Sequence, residues 1–346
     1  MPETSMLYPL LFDPIYKEKV WGGRALMRLG RELPGDADTP IGESWELVDL
    51  ATTSASGGGG AAEHSVVANG PLAGTPIHRL IAEHGDAILG KSLNRGAPTF
   101  PLLIKYLDAH DNLSVQVHPS PEYAAAHPEA HLKSEAWYVV DCEPGAVIYK
   151  GLKPGVTETQ LRAALKANTD DAVVPLLNAV PVKPGDCHYL PSGTCHALGA
   201  GVLVAEVQTP SDTTFRVYDW GRTGRELHIE QAIGCINFDD PATDWPNAWE
   251  QHAPRTVDIA LHTRLVACPF FEIERIDVKA DVQTSWPVDR PEVWMVLRGE
   301  VGFVDPAGQT SRAHQGHTVL LPPAGHRVVV TAAEPTRWLR VTLPRT

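Results

Sequence analysis

Cysteine is scarce and unpatterned in this chain. Cys142, Cys187, Cys195, Cys235 and Cys268 are odd in number, widely spread and include no CxxC pair. Such a set makes no disulfide framework and fits a reducing compartment. Long apolar runs are missing as well, and none approaches the roughly 20 residues needed to span a bilayer. The opening MPETSMLYPLLFDPIYKEKVWGG has no basic segment leading into a long apolar core, the pattern of a secretory signal. A cytoplasmic location is the expectation. Positive charge is in deficit: the formal net charge is -13. The overall field therefore opposes nucleic acid and anionic membrane surfaces as partners. A phosphate-bearing ligand would need a local basic pocket.

Proline and glycine, by contrast, are plentiful. Thirty prolines and 29 glycines cut the sequence into short apolar runs, many of them alternating. LLIKYLDA, LSVQVH, AWYVV, AVIYKG, VLVAEVQ, VWMVLRGEVGFVD, HTVLLP and HRVVVTA all read as antiparallel strands of a sandwich or barrel. Two segments carry a helical period instead. TPIHRLIAEHGDAILG (75–90) sets Ile77, Leu80, Ile81 and Ile88 at helical spacings and stops at Gly90. TETQLRAALKANTDDAVVPLLNAV (157–180) opens on Thr157 three residues before Gln160, a capping-box spacing, and predicts two helices parted at Pro175.

With 346 residues there is room for two domains. The pattern predicts a first domain over 1–240 with a helical insertion at about 155–180, a polar, proline-rich linker over 241–258, and a second, smaller domain over 259–346. KPGDCHYLPSGTCHAL and QGHTVLLPPAGHRVVV share a G-(D/H)-x-x-x-L-P core, an echo expected of a second copy of one sandwich. ATTSASGGGG (51–60) is of low complexity and reads as a loop.

Residues two apart in a strand share a face, so Gln116 and His118 point together, with Ser114 behind them. Glu135 falls in the next strand, entered through Lys133, and His196 follows a turn holding Pro191 and Gly193. Adjacent antiparallel strands, about 4.8 Å apart, would gather the four. Gln, His, Glu and His are nitrogen and oxygen donors that suit a divalent metal, zinc where no redox chemistry is needed. Cys187-His188 and Cys195-His196 look like repeated ligand pairs, but neighbours in a strand face opposite ways. His64, His78, His84, His127, His131, His252 and His262 show no partner pattern, and His314, His317 and His326 do not repeat the ligand order.

Several runs carry a resemblance: FPLLIKYLDAHDNLSVQVHPS, KSEAWYVV, GDCHYLPSGTCHALGAGVLVAEVQTPSDTTFRVYDWGR, ELHIEQA and, nearer the start, VWGGRAL and GESWEL. Together they closely resemble the type I mannose-6-phosphate isomerases in their shorter bacterial form, over about residues 8–235. The resemblance implies a mainly β, cupin-type jelly roll with a second cupin-like domain that lacks metal ligands. It implies a zinc ion held by Gln116, His118, Glu135 and His196. It also implies a phosphorylated-sugar pocket in which Arg216, Lys133 and Glu206 are catalytic and Ser114, Lys133 and Arg216 bind substrate. His188 departs from the family's usual apolar or aromatic residue.

The implied reaction moves a proton between C1 and C2 through a cis-enediol. Glu206, Lys133, a histidine and a metal-bound water all remain open as the group that carries it. Trp21 and Trp45 are candidates to stack on the sugar. The rival readings are an isomerase of another phosphorylated sugar, an iron-dependent cupin oxygenase, which a fourth protein ligand disfavours, and a sugar-binding cupin without catalysis. The last predicts decay of Arg216, Lys133 or Glu206, and all three are present.

Overall fold

The computed structural model describes residues 7–54, 62–90, 99–238, 254–305, 308–323 and 327–344. The alternating runs form two pairs of facing antiparallel sheets. In the first pair, a six-stranded sheet runs in the order Cys187–Leu190, Glu135–Cys142, Val202–Gln208, Leu103–Ala109, Ile41–Leu47, Ile15–Gly23. It faces a five-stranded sheet ordered Leu177–Pro181, Val147–Leu152, His196–Leu198, Val115–Val117, Phe215–Tyr218. The second pair is a seven-stranded and a four-stranded sheet, drawn from Arg255–Val257 through Thr336–Thr342, with the short strand Leu10–Leu11 added at one edge. This is the mainly β sandwich that the strand pattern predicts, in the jelly-roll form that the resemblance implies.

Alternation decides which side chains enter each barrel. In Leu103–Ala109 every residue is buried, because one face looks into the first barrel and the other packs outward. Tyr106, Ile104 and Leu47 belong to an apolar cluster that continues into Leu265, Ile273 and Leu339. Polar contacts join the same face: Arg31 forks onto Glu46, at 2.7 and 2.6 Å, and also donates to the Gly316 carbonyl. The wall that carries the site is thus braced from behind by the second pair of sheets.

Ile77–Leu89 is helical and buries Ile77, Leu80, Ile81 and Ile88, ending at Gly90 with φ 78°. The segment 157–180 differs from expectation. The capping box forms, but the helix Glu158–Ala167 stops at Asn168, which takes the left-handed conformation at φ 54°. A short helix, Asp170–Val173, follows. Pro175 then sits at the start of a 3-10 turn, where its missing N–H costs nothing, and 177–181 is a strand. The break is therefore set by an asparagine that tolerates positive φ, not by the proline. Most of the glycine-rich 51–60 loop and of the 241–258 linker lies outside the described residues, as do His252 and His326. No helix among the described residues is long and apolar enough to cross a membrane.

Candidate metal centre

His118, Glu135 and His196 meet inside the first barrel, each at most 1 % exposed. Their route there differs from the expectation that adjacent strands alone would gather them. Gln116 and His196 are indeed register partners on neighbouring strands. Glu135 comes from the opposite sheet, as the first residue of its strand, so the cluster bridges the two layers. His118 Nε2 is 3.3 Å from Glu135 Oε2, and His196 Nε2 is 3.2 Å from Oε1.

The hydrogen bonds fix how these rings are presented. His118 Nδ1–H donates to the Thr213 carbonyl at 2.9 Å, and His196 Nδ1–H to that of Thr194 at 2.8 Å. Both Nε2 lone pairs are thereby turned toward Glu135, the arrangement metal-ligating histidines adopt. His118 Nε2 and Glu135 Oε1 are buried and make no hydrogen bond, while Oε2 faces the Lys133 ammonium at 2.9 Å. Burial and the neighbouring Lys133 push the His118 imidazolium down to about 3. Burial opposes ionisation of Glu135, but Lys133 and His118 outweigh it and hold its carboxyl well below the usual range. Two imidazoles that turn Nε2 onto one buried carboxylate form a donor set that fits a divalent cation. The Gln116 amide nitrogen is 3.4 Å from His196 Nε2.

The remaining expected residues surround this cluster along a cavity of about 140 Å³. Ser114 is buried with Oγ 3.3 Å from Gln116 Oε1. Lys133 is 5 % exposed, and its Nζ lies 2.9 Å from Glu135 Oε2, so its charge is spent beside the histidine–carboxylate cluster rather than at the rim. Glu206 accepts from Trp137 Nε1 at 2.8 Å, and that indole packs edge-on against His196. Burial and the Glu135 charge raise the Glu206 carboxyl above its ordinary value. Lys133 is itself raised, since Glu135 and Glu206 outweigh its burial. Arg216 pairs in register with Gln116. It gives Nη1 to the Glu226 carbonyl at 2.9 Å and keeps a buried Nε with no hydrogen bond.

The sequence reading missed Lys105, Glu43, Arg225 and His228, all of which line the same cavity. Lys105 is 7 % exposed, 3.4 Å from Glu206 Oε1 and 4.0 Å from Glu43 Oε2. Its signal was present: in LLIKYLDA it shares a strand face with Leu103 and Leu107, an apolar setting for a lysine. Glu43 is pulled down to about 2, because Lys105 and Lys19 overcome its burial. Arg225 is doubly paired with Asp219, which leaves Arg216 the less neutralised guanidinium. Trp21 and Trp45 also line the cavity, but the Trp45 ring already carries Lys105 and Lys17 at 5.0 and 4.9 Å.

Other expectations separate from the cluster. Cys187 and His188 lie on a strand beside Tyr138 and Trp137, and Cys195 turns into an apolar core. His64 and His78 do have partners: His64 Nδ1 is 2.6 Å from Asp49 Oδ1, and the two imidazoles are 4.1 Å apart. His262 faces Glu274 at 3.7 Å.

The phosphomannose isomerase type I catalytic domain, as a family, matches residues 10–148. The chain is 37% identical over 273 residues to the mannose-6-phosphate isomerase ManA of Bacillus subtilis (strain 168), covering 77% of this chain and 78% of that protein. With the mannose-6-phosphate isomerase of Streptococcus mutans serotype c it shares 38% identity over 284 residues, 80% of this chain and 81% of that one. The crystal structure of the Bacillus subtilis mannose 6-phosphate isomerase superposes with a TM-score of 0.83 at 28% identity, over 97% of this chain and 100% of that chain. A mannose 6-phosphate isomerase structure described as holo and zinc bound shares the fold at a TM-score of 0.70 and 18% identity, over 98% and 100% of the two chains. On this identity and coverage the chain belongs to the type I phosphomannose isomerases, aldose–ketose isomerases built on the cupin fold.

Proposed function

We propose that this protein interconverts mannose 6-phosphate and fructose 6-phosphate at a zinc centre held by Gln116, His118, Glu135 and His196. One observation carries the metal: two buried histidines with Nδ1 tied to carbonyls turn Nε2 to within 3.2 and 3.3 Å of one buried carboxylate, and His118 Nε2 makes no hydrogen bond. The names of the relatives support the substrate. Bound zinc would supply Lewis-acid stabilisation of negative charge on the substrate's C1 and C2 oxygens.

The chain's own residues divide the rest of the work. Moving a proton between C1 and C2 through a cis-enediol needs a group that gives and takes that proton. Among the groups the sequence leaves open, Glu206 is the best supported. Its Oε1 is buried without a hydrogen bond, and its raised carboxyl titrates nearer neutrality than an ordinary glutamate. Lys133 stays protonated between Glu135 and Glu206 and donates to developing oxyanion charge. Ser114 orients the Gln116 amide. Arg216 offers the fork geometry that suits phosphate, next to the paired Arg225 and to His228.

A coupled isomerase assay on a panel of phosphorylated sugars, with metal analysis, tests this reading. His118→Ala and Glu135→Ala should lose bound zinc and activity together. If chain stripped by a chelator isomerised mannose 6-phosphate at an undiminished rate, the metal role would be wrong. Iron in place of zinc would revive the oxygenase reading.

A further inference from the structure

The larger sheet of the second pair repeats the six-stranded sheet of the first. The six-stranded order given above recurs as Thr318–Leu321, Glu292–Arg298, Thr336–Thr342, Glu272–Val278, Ala260–Ala267, Arg255–Val257. Register carries the match to single residues. Glu135 opens its strand opposite Leu190 and Gln208; Glu292 opens its strand opposite Leu321 and Thr342. Two residues on, Trp137 pairs with Glu206, and Trp294 pairs with Arg340. Glu206 in turn pairs with Lys105, and Arg340 with Glu274. Glu43 and His262 then hold matching positions one strand further out.

The charges, however, are reversed around a retained carboxylate. Where the first barrel has Glu206 beside Lys105, the second has Arg340 beside Glu274, with Nη1 2.9 Å from Oε2. Arg340 Nη2 also donates to Glu292 Oε1. Glu292 is fully buried, and its other oxygen accepts from Trp294 at 2.8 Å and Trp286 at 3.1 Å. The other ligand positions are apolar: Trp286 and Val328 form the register pair that Gln116 and His196 form in the first barrel, and Val288 follows as His118 does. Three indoles, Trp286, Trp294 and Trp338, fill the interior, with Arg340 over the Trp286 ring at 5.8 Å.

We propose that Arg340 is the built-in cation of the second barrel, compensating Glu292 where the first barrel uses a metal ion. The second barrel therefore keeps its buried carboxylate without a metal. The proposal uses the zinc reading only to say what Arg340 replaces; the ion pair itself is independent of it.

A double-variant cycle read by thermal unfolding decides the matter. Arg340→Met leaves Glu292 buried and uncompensated, and should lower the midpoint by about 5 °C or more. Glu292→Gln with Arg340→Met removes both charges and keeps an oxygen for the two indoles. Glu274 still has Arg255 at 3.3 Å and His262. The pair should recover most of the loss, since replacing both partners of a buried ion pair is often close to neutral. Should Arg340→Met fail to fold, recovery of folded protein in the pair supports the proposal equally. Additive losses, or a pair no better than Arg340→Met, would overturn it. A native chain holding no metal at all would sink the zinc reading and leave the cycle to judge Arg340.

Discussion

Lys105 offers the sharpest test of how the cavity sets its own chemistry. Replacing it by methionine keeps the stem's volume and removes one ammonium, 3.4 Å from Glu206 and 4.0 Å from Glu43. Glu43 retains Lys19 at 3.2 Å and the Trp45 N–H at 2.6 Å, so the loss falls mainly on Glu206. Unit charges at that separation attract by about 5 kcal/mol at an effective dielectric of roughly 20. Relaxation and the neighbouring Lys133 retain part of this, leaving a net rise of about one to two pKa units, or ~1.4–2.7 kcal/mol. Glu206 is already raised by its burial and by Glu135. A further rise leaves a smaller share of it ionised and able to accept a proton. The acidic limb of kcat/KM against pH should then move upward by about one to two units in Lys105→Met, with activity returning at high pH. Metal content should not change. An equal loss at every pH would refute this, making Lys105 a substrate contact; so would a Glu206→Gln variant with the native rate.

For Arg216→Ala, kcat/KM should collapse while zinc stays bound, and Arg216→Lys should recover only part, because an ammonium cannot reproduce the fork; loss of metal instead would make Arg216 structural. In the second barrel, the Glu274 carboxyl is lowered to about 2, chiefly by His262, with Arg340 adding to it against burial. Because the folded value lies below the unfolded one, this stabilisation is complete above the ordinary glutamate range and disappears as pH falls toward about 2. Thermal midpoints measured down through that window should drop less steeply for Glu274→Gln than for the native chain, and parallel curves would refute the assignment.

How far the sequence alone reached depended on whether a property is local. Strand alternation is local, and LLIKYLDA, VLVAEVQ and VWMVLRGEVGFVD became strands as written. So is a capping box, and Thr157 with Gln160 forms one. The helix break was misplaced because proline punctuates reliably only in a helix interior, whereas here it opens a 3-10 turn and Asn168 takes the positive φ. Spacing brought Gln116 and His118 onto one face, and the register with His196 follows from short strands.

What no spacing could supply was the packing of one sheet on the other. Only that packing sets Glu135 against two histidines from the opposite layer. The sequence determined the repeating strands, the residue types able to bind a metal and the echo between the two halves. The tertiary structure decided which carboxylate meets which cation. Electrostatic pairing depends on separations of a few ångströms between residues tens of positions apart, and those separations exist only once the layers close.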